Sequence, residues 1–323
     1  MRKDDALVTV VVPFLNEKDN LPVLLERVGG VFASRPERWE LLLVDDGSSD
    51  GSTEWVRARC GEVAGSGGKG RVRLVRLSRN FGHQLAITAG LDRATGDAVV
   101  IMDADLQDPP EVIPDLLAKW REGVDVVYAV RRSREGETWM KKFLAAGFYR
   151  VFHALAKVNV PMDAGDFRLV DRCIVEALKE VRELHRFMRG LTCWVGWRQG
   201  AVEYDRAARL AGETKYPVWK SARLAFDAIT SFSAAPLRWI VGLGGIMMVA
   251  ALLWGVWVVV SALIGMAGLE KGWSSLMAVT VFLSGVQLLC IGMLGQYVSR
   301  IFEEGKRRPL YFVAEDAGGG DER

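Results

Sequence analysis

The chain has 323 residues, enough for one large domain or two smaller ones. Its 42 basic and 40 acidic side chains leave a formal charge of +2, so no polycationic face for nucleic acid is predicted. Cys60, Cys173, Cys193 and Cys290 are far apart with no C-x-x-C, which excludes zinc spacing and a disulfide framework and fits reduced thiols in a cytoplasmic compartment.

Met1–Ala6 is charged and the apolar run after it is short, so no secretory signal is predicted. Val8–Phe14 reads as a strand, and Asn16 and Glu17 are placed to cap a helix reaching about Phe32. Trp39–Asp46 is a second strand closing on two acids. Gly47–Thr53 is turn and cap chemistry before another helix. Val72–Leu77 is a third strand, preceded by Gly65–Gly70, which fits G-x-G-x-x-G. That loop stands between a helix and a strand, the wrong context for a dinucleotide fingerprint, and reads as a surface loop. A helix from Gly82 to Ala94 and a fourth strand, Ala98–Asp103, follow. Asp108-Pro109-Pro110-Glu111 then opens a helix with prolines in its first turn, before a fifth strand at Asp125–Val130. Strands alternating with helices predict an α/β fold with a doubly wound, parallel sheet and ligands at the carboxyl ends of its strands. Asn16 and Glu17, Asp45 and Asp46, and Asp103 and Asp105 all fall there.

The most informative stretch is VVIMDADLQDPP, Val99–Pro110. Its apolar start reads as a buried strand, and strand alternation puts Asp103 and Asp105, at the strand's carboxyl end, on one side. Two like charges that close are unfavourable unless a cation sits between them. Carboxylates select Mg²⁺ or Mn²⁺, which are bound by one or two acids together with substrate phosphates. The alternative is a solvated turn with two surface acids. Asp50 and Asp108 read as helix caps, a role that suits Asp46 and Asp105 less well. His83, His153 and His185 lack metal spacing and read as structural or solvated.

Two uncharged runs, Trp239–Leu269 and Gly272–Ser299, each exceed the roughly 20 residues a bilayer needs. Glu270 and Lys271 alone separate them, which predicts a tight transmembrane hairpin; a buried hairpin in a soluble core is the alternative. Lys215, Lys220, Arg223 and Arg238 precede it and Arg300, Lys306, Arg307 and Arg308 follow, so both ends are expected in the cytoplasm. Trp239 and Trp273 suit interface anchors. Tyr216–Pro236 mixes apolar and charged residues as interfacial helices do, or as a helix packed on the soluble domain would. The expected organisation is a catalytic domain at 1–210, juxtamembrane amphipathic helices at 211–236, two membrane helices at 237–300 and a tail at 301–323.

Taken in order, VVPFLNE (Val11–Glu17), VDDGSSDGST (Val44–Thr53), RNFGHQLA (Arg79–Ala86), DADLQDPPE (Asp103–Glu111), AGDFRLVDR (Ala164–Arg172), FMRGLTCWVG (Phe187–Gly196) and RLAGETKYP (Arg209–Pro217) resemble the polyprenyl-phosphate glycosyltransferases of glycosyltransferase family 2. With the closing hairpin they are most similar to the bactoprenol glucosyltransferases and dolichol-phosphate mannose synthases. The resemblance implies a GT-A fold, doubly wound with a mostly parallel sheet, and inverting transfer of glucose from UDP-glucose to undecaprenyl phosphate. It also implies an inner-membrane, multi-pass location with the catalytic domain and both termini cytoplasmic, and a homo-oligomer, a tetramer in the family. On these residues it implies nucleotide-sugar contacts from Pro13, Leu15, Glu17, Val44, Asp46, Asp103, Ala104 and Arg131. Asp103, Asp105 and Gln107 would hold Mg²⁺ or Mn²⁺, with Asp105 also counted as catalytic. Arg131, Arg209 and Lys215 would hold the donor diphosphate and acceptor phosphate, and Asp166 would lie near the sugar and acceptor. Family members carry Asp166 as a base, but a phosphate monoester with a second pKa of about 6 is already ionised, so an orienting role is expected.

Three rival readings remain. GDP-mannose could be the donor. A processive synthase would carry Q-x-x-R-W, where Ala235-Pro236-Leu237-Arg238-Trp239 has Ala. A membrane-tethered, non-catalytic nucleotide-sugar-binding subunit would have no need of intact Asp103, Asp105, Gln107, Arg209 and Lys215.

Overall fold

The computed structural model describes residue 2 and residues 5–61, 70–132, 164–205, 235–264 and 272–318. They fall into an α/β unit, which includes the residues after Pro309, and a helical unit within Pro217–Arg308. Arg209, Lys215, His153, most of Gly65–Gly70 and nearly all of Tyr216–Pro236 lie outside the described residues.

The α/β unit is built on β1 (Leu7–Phe14), β2 (Arg38–Asp45), β3 (Gly70–Leu77) and β4 (Ala98–Ile101). These are near-continuous apolar runs, as strands covered on both faces require, and β1, β2 and β4 are buried along almost their whole length. Helix α1 (Asn20–Ala33) buries Leu21, Leu24, Val28 and Phe32, one stripe at helical spacing. Helices α2 (Ser52–Arg57) and α3 (His83–Arg93) follow β2 and β3. Helix α3 lies hard against the sheet because Gly90 has no side chain; a Cβ there would sit 2.3 Å from Val11 Cγ1. A 3₁₀ turn at Pro110–Val112 leads into α4 (Ile113–Arg121), then β5 (Val126–Arg131), β6 (Ala164–Asp171), α5 (Arg172–Glu180), α6 (Met188–Trp194) and β7 (Gln199–Tyr204).

With β8 (Val313–Ala317) the sheet has eight strands in the order β7-β5-β6-β4-β1-β2-β3-β8. The pairs β1–β2, β1–β4, β2–β3 and β5–β7 are parallel; β6 runs antiparallel between β4 and β5, and β8 antiparallel along β3. The five predicted strands are present within a few residues. Strand β4, however, stops at Ile101, so Asp103 and Asp105 sit in the following turn and strand alternation does not orient them.

The expected tail is a second correction. Residues 301–305 finish the last helix, and Val313–Ala317 complete the sheet, fastened by Arg57–Glu315 (2.6 Å) and Arg93–Asp316 (3.0 Å) ion pairs. Because β7 is parallel to β5 and β8 antiparallel to β3, β7 ends and β8 begins on the same edge of the sheet, the carboxyl edge of the parallel strands.

The helical unit holds α7 (Ala235–Leu263) and α8 (Trp273–Gly305). Ile240–Trp257 and Val279–Gly305 are long and apolar enough to cross a membrane, and no described side chain in either span is buried. Leu252, Trp254 and Leu289 are each more than 60% exposed. A soluble core would bury such a surface; its exposure marks a membrane-associated pair.

Candidate functional site

Four strand ends meet at a cavity of about 450 Å³, the size of a small-ligand site. Pro13 at the end of β1, and Leu15 and Glu17 just beyond it, line it. Asn16 takes a left-handed conformation (φ 58°), and its Oδ1 accepts the Ser49 amide while its own amide donates to Ser48 Oγ, which ties the β1 turn to the β2 turn. Neither Asn16 nor Glu17 caps α1 by its side chain as expected: the Glu17 carbonyl accepts the Asn20 and Leu21 amides instead.

After β2 the two acids divide. Asp45 is buried and accepts Ser48 N (2.8 Å) and Thr53 Oγ1 (2.5 Å), closing its own turn. Asp46 lines the cavity, and its two oxygens accept the amides of Phe81 (2.7 Å) and Gly82 (2.9 Å). Burial nevertheless pushes its carboxyl upward. Asp46 thus fastens the loop that starts α3. Gly82 there has φ 99° and ψ 153°, a region open essentially to glycine alone. Val44, expected to contact the nucleotide, is fully buried beneath Gly90 and does not line the cavity.

The turn after β4 brings Asp103, Ala104 and Asp105 to the cavity. Leu106 is left-handed (φ 59°), and the Gln107 amide donates to Asp105 Oδ1 (3.1 Å), so the turn curls back on itself. Gln107 is 9% exposed and does not line the cavity. Asp103 Oδ1 is buried without a hydrogen-bond partner. Burial, with Asp166, Asp108 and Asp105 nearby, pushes the Asp103 carboxyl up to about 6 against the opposing pull of His83. An orphaned buried carboxylate oxygen beside a second acid fits a hard divalent cation. Among the described residues no three acid, His or Cys side chains gather closely enough to enclose one.

Strand β6 supplies Asp166, whose carboxylate is surrounded by donors. Arg189 of α6 binds it in two places (Nε–Oδ1 2.9 Å, Nη2–Oδ2 3.1 Å), Arg168 Nη2 lies 3.7 Å away and His83 Nε2 3.3 Å away. Burial alone would raise its carboxyl, but the hydrogen bonds of His83 and Arg189 and the two guanidinium charges outweigh it and hold Asp166 far below the usual range. His83 Nε2 also lies 3.4 Å from Asp103 Oδ1, so the imidazole stands between the two acids. Its own burial disfavours charge, yet Asp166 and Asp103 raise its pKa.

His83, read as structural or solvated, has a side chain 44% exposed and lines the cavity as the first residue of α3. One reading of the sequence is corrected here. Asp108 caps no helix: it is buried, accepts the Tyr204 hydroxyl and lies 3.9 Å from Arg131 Nη2. Arg131, on this Asp108–Tyr204 pair, stands at the end of β5 and not in the cavity wall. His83, Arg189 and Arg168 were missed because sequence spacing carries no sign of the crossing of α3, α6 and β6. Asp50 does act locally, accepting the amide and hydroxyl of Ser52. All four cysteines are free thiols.

Residues 9–179 match the family described as "Glycosyl transferase family 2", and residues 235–301 match "GtrB C-terminal hairpin". The chain is 44% identical over 310 residues to the uncharacterized glycosyltransferase YkcC of Bacillus subtilis (strain 168), covering 96% of this chain and 94% of that protein. It is 37% identical to a prophage bactoprenol glucosyl transferase homolog of Escherichia coli (strain K12), covering 95% and 98%. It is 38% identical to the bactoprenol glucosyl transferase of Shigella phage SfV, covering 96% and 98%.

Proposed function

The chain belongs to glycosyl transferase family 2, with the GT-A fold, and on that premise we propose that it transfers glucose from UDP-glucose to undecaprenyl phosphate with inversion at the anomeric carbon. The observation that carries this reading is the orphaned, buried Asp103 Oδ1 beside Asp105, in a cavity at the carboxyl ends of the parallel strands. The named bactoprenol glucosyl transferases support the acceptor class.

In this reading Pro13, Leu15 and Glu17 receive the base and ribose, and Asp103 and Asp105 hold Mg²⁺ or Mn²⁺ against the donor diphosphate, with Gln107 shaping their turn. When bound, the cation supplies Lewis-acid neutralisation of the leaving diphosphate. An oxygen of the acceptor phosphate attacks C1 as the C1–O bond to UDP breaks, so one bond forms, one breaks and UDP departs. The acceptor needs no base, since its second pKa is about 6. Asp166 orients, a role supported by the donors that already occupy its carboxylate. Arg131, Arg209 and Lys215 steady the phosphates. The hairpin crosses the inner membrane twice, with the catalytic unit and both termini cytoplasmic. Return of the chain to the sheet at β8 supports this, because it ties both ends of the hairpin to one folded unit. Gly242, Gly244 and Gly245 permit the close helix packing of a homo-oligomer, a tetramer.

The test is a panel of labelled UDP-sugars and GDP-mannose offered to the purified full-length protein with undecaprenyl phosphate and Mg²⁺ or Mn²⁺. Label from UDP-glucose should enter the organic phase with the anomeric configuration of an inverted product. Transfer from GDP-mannose alone would replace the donor. Nucleotide binding with no transfer from any donor would favour a non-catalytic subunit.

A further inference from the structure

The side chains gathered round Asp166 exceed what one buried carboxylate needs. Two guanidiniums and an imidazole meet it, so the cluster is net positive whatever the state of His83. The cavity beside it is the reverse, with Glu17, Asp46, Asp103 and Asp105 on its walls, and of the cluster His83 alone lines it. Arg168 is 1% exposed and is engaged by the Gly165 and Asp166 carbonyls and Thr192 Oγ1, which makes it a fixed buried charge. Arg189 differs: its side chain is 35% exposed, and Asp166 holds the guanidinium flat by two bonds. The His83 side chain is 44% exposed, and one N–H cannot aim at both acids that flank it.

We infer that Arg189 and His83 form the seat of the acceptor's phosphate, with Asp166 as the positioning group that aims them; the inference rests on the transfer reading above. A phosphate monoester presents several acceptor oxygens to donors of this kind, and a planar guanidinium fixed by a carboxylate is pre-organised for it. His83, 3.3 Å from Asp166 and 3.4 Å from Asp103, sets the cluster one side chain away from the acids of the cavity wall. An anion seated on Arg189 is therefore brought next to a sugar whose diphosphate is held at Asp103 and Asp105, which is the proximity an in-line displacement requires.

Binding tests this without any transfer. Full-length protein in detergent is titrated with geranyl phosphate by calorimetry, alongside UDP with Mn²⁺. Arg189→Ala should weaken geranyl phosphate at least about tenfold with UDP affinity kept within about twofold, and His83→Asn should weaken geranyl phosphate several-fold. Arg189→Lys keeps the charge but loses the fork, and should fall between; it also serves if Arg189→Ala does not fold. Inorganic phosphate should compete with geranyl phosphate on the wild type, which separates reading of the headgroup from reading of the chain. Unchanged geranyl phosphate affinity in Arg189→Ala, a parallel loss of UDP affinity, or no competition by inorganic phosphate would overturn the inference. Arg189-dependent binding with no sugar transfer from any donor would sink the transfer reading alone. Transfer whose acceptor KM ignores Arg189 would sink this inference alone.

Discussion

Asp103 and Asp166 are the same chemical group, both turned inward and both within reach of the His83 imidazole, yet the fold surrounds them oppositely. Asp103 comes from a curled turn among other acids, with a buried oxygen that accepts nothing, and its carboxyl is pushed up to about 6. Asp166 comes from a strand flanked by Arg168 and Arg189 and is held far below the ordinary range. Burial acts the same way on both; donors decide the outcome. One carboxylate is left in want of a cation and the other is already satisfied, which is how two neighbouring acids acquire different work.

The largest effect should come from the cation end. Asp105→Ala is expected to lower transfer by at least about 10²–10³-fold, the scale of losing charge stabilisation at a leaving group, measured as initial rate at saturating donor. A smaller loss at the Asp166 end would sharpen the contrast. A general base contributes about 10²–10⁴-fold, so Asp166→Asn should keep kcat within about tenfold at saturating acceptor, with the pH profile unmoved. A larger loss recovered at high pH would make Asp166 a base and break the distinction.

Stability should separate the two acids by sign. Asp166→Asn strands the buried Arg168 guanidinium and should lower Tm, since stripping a buried charge of its partner costs about 3–5 kcal/mol. Asp103→Asn should raise the Tm of metal-free protein at pH 7. Because the folded Asp103 carboxyl titrates near 6, above its unfolded value, the folded state binds more protons. Metal-free stability therefore falls as pH climbs from about 4 through 6, and Asn removes that fall. Thermal melts from pH 4 to 8, with and without Mn²⁺, check both signs. The smallest effect concerns how both acids are framed: Gly90→Ala, whose Cβ would press on Val11, should cost about 1–3 kcal/mol while leaving the nucleotide affinity of folded protein intact.

Much of this was legible beforehand. Apolar runs ending in acids announced β1, β2 and β4 and the edge where the cavity lies, and the long uncharged runs announced α7 and α8. Strand β6 was hidden because Asp166 and Arg168 interrupt its apolar pattern, and only their mutual pairing allows them to be buried. Strand β8 was hidden because VAEDA is short and polar, and is recruited by ion pairs with Arg57 and Arg93 from distant helices. His83 and Arg189 lay within motifs already conspicuous, but their meeting at Asp166 depends on how α3 and α6 cross the sheet edge, which spacing along the chain does not encode.

The most direct measurement is Mn²⁺–UDP binding to wild type, Asp103→Asn and Asp166→Asn of the full-length protein, followed by electron paramagnetic resonance of free Mn²⁺ as UDP is added. If the two acids divide the work as their surroundings indicate, Asp103→Asn loses UDP-dependent Mn²⁺ uptake and folded Asp166→Asn retains it. Uptake that survives in Asp103→Asn and vanishes in Asp166→Asn would contradict that division.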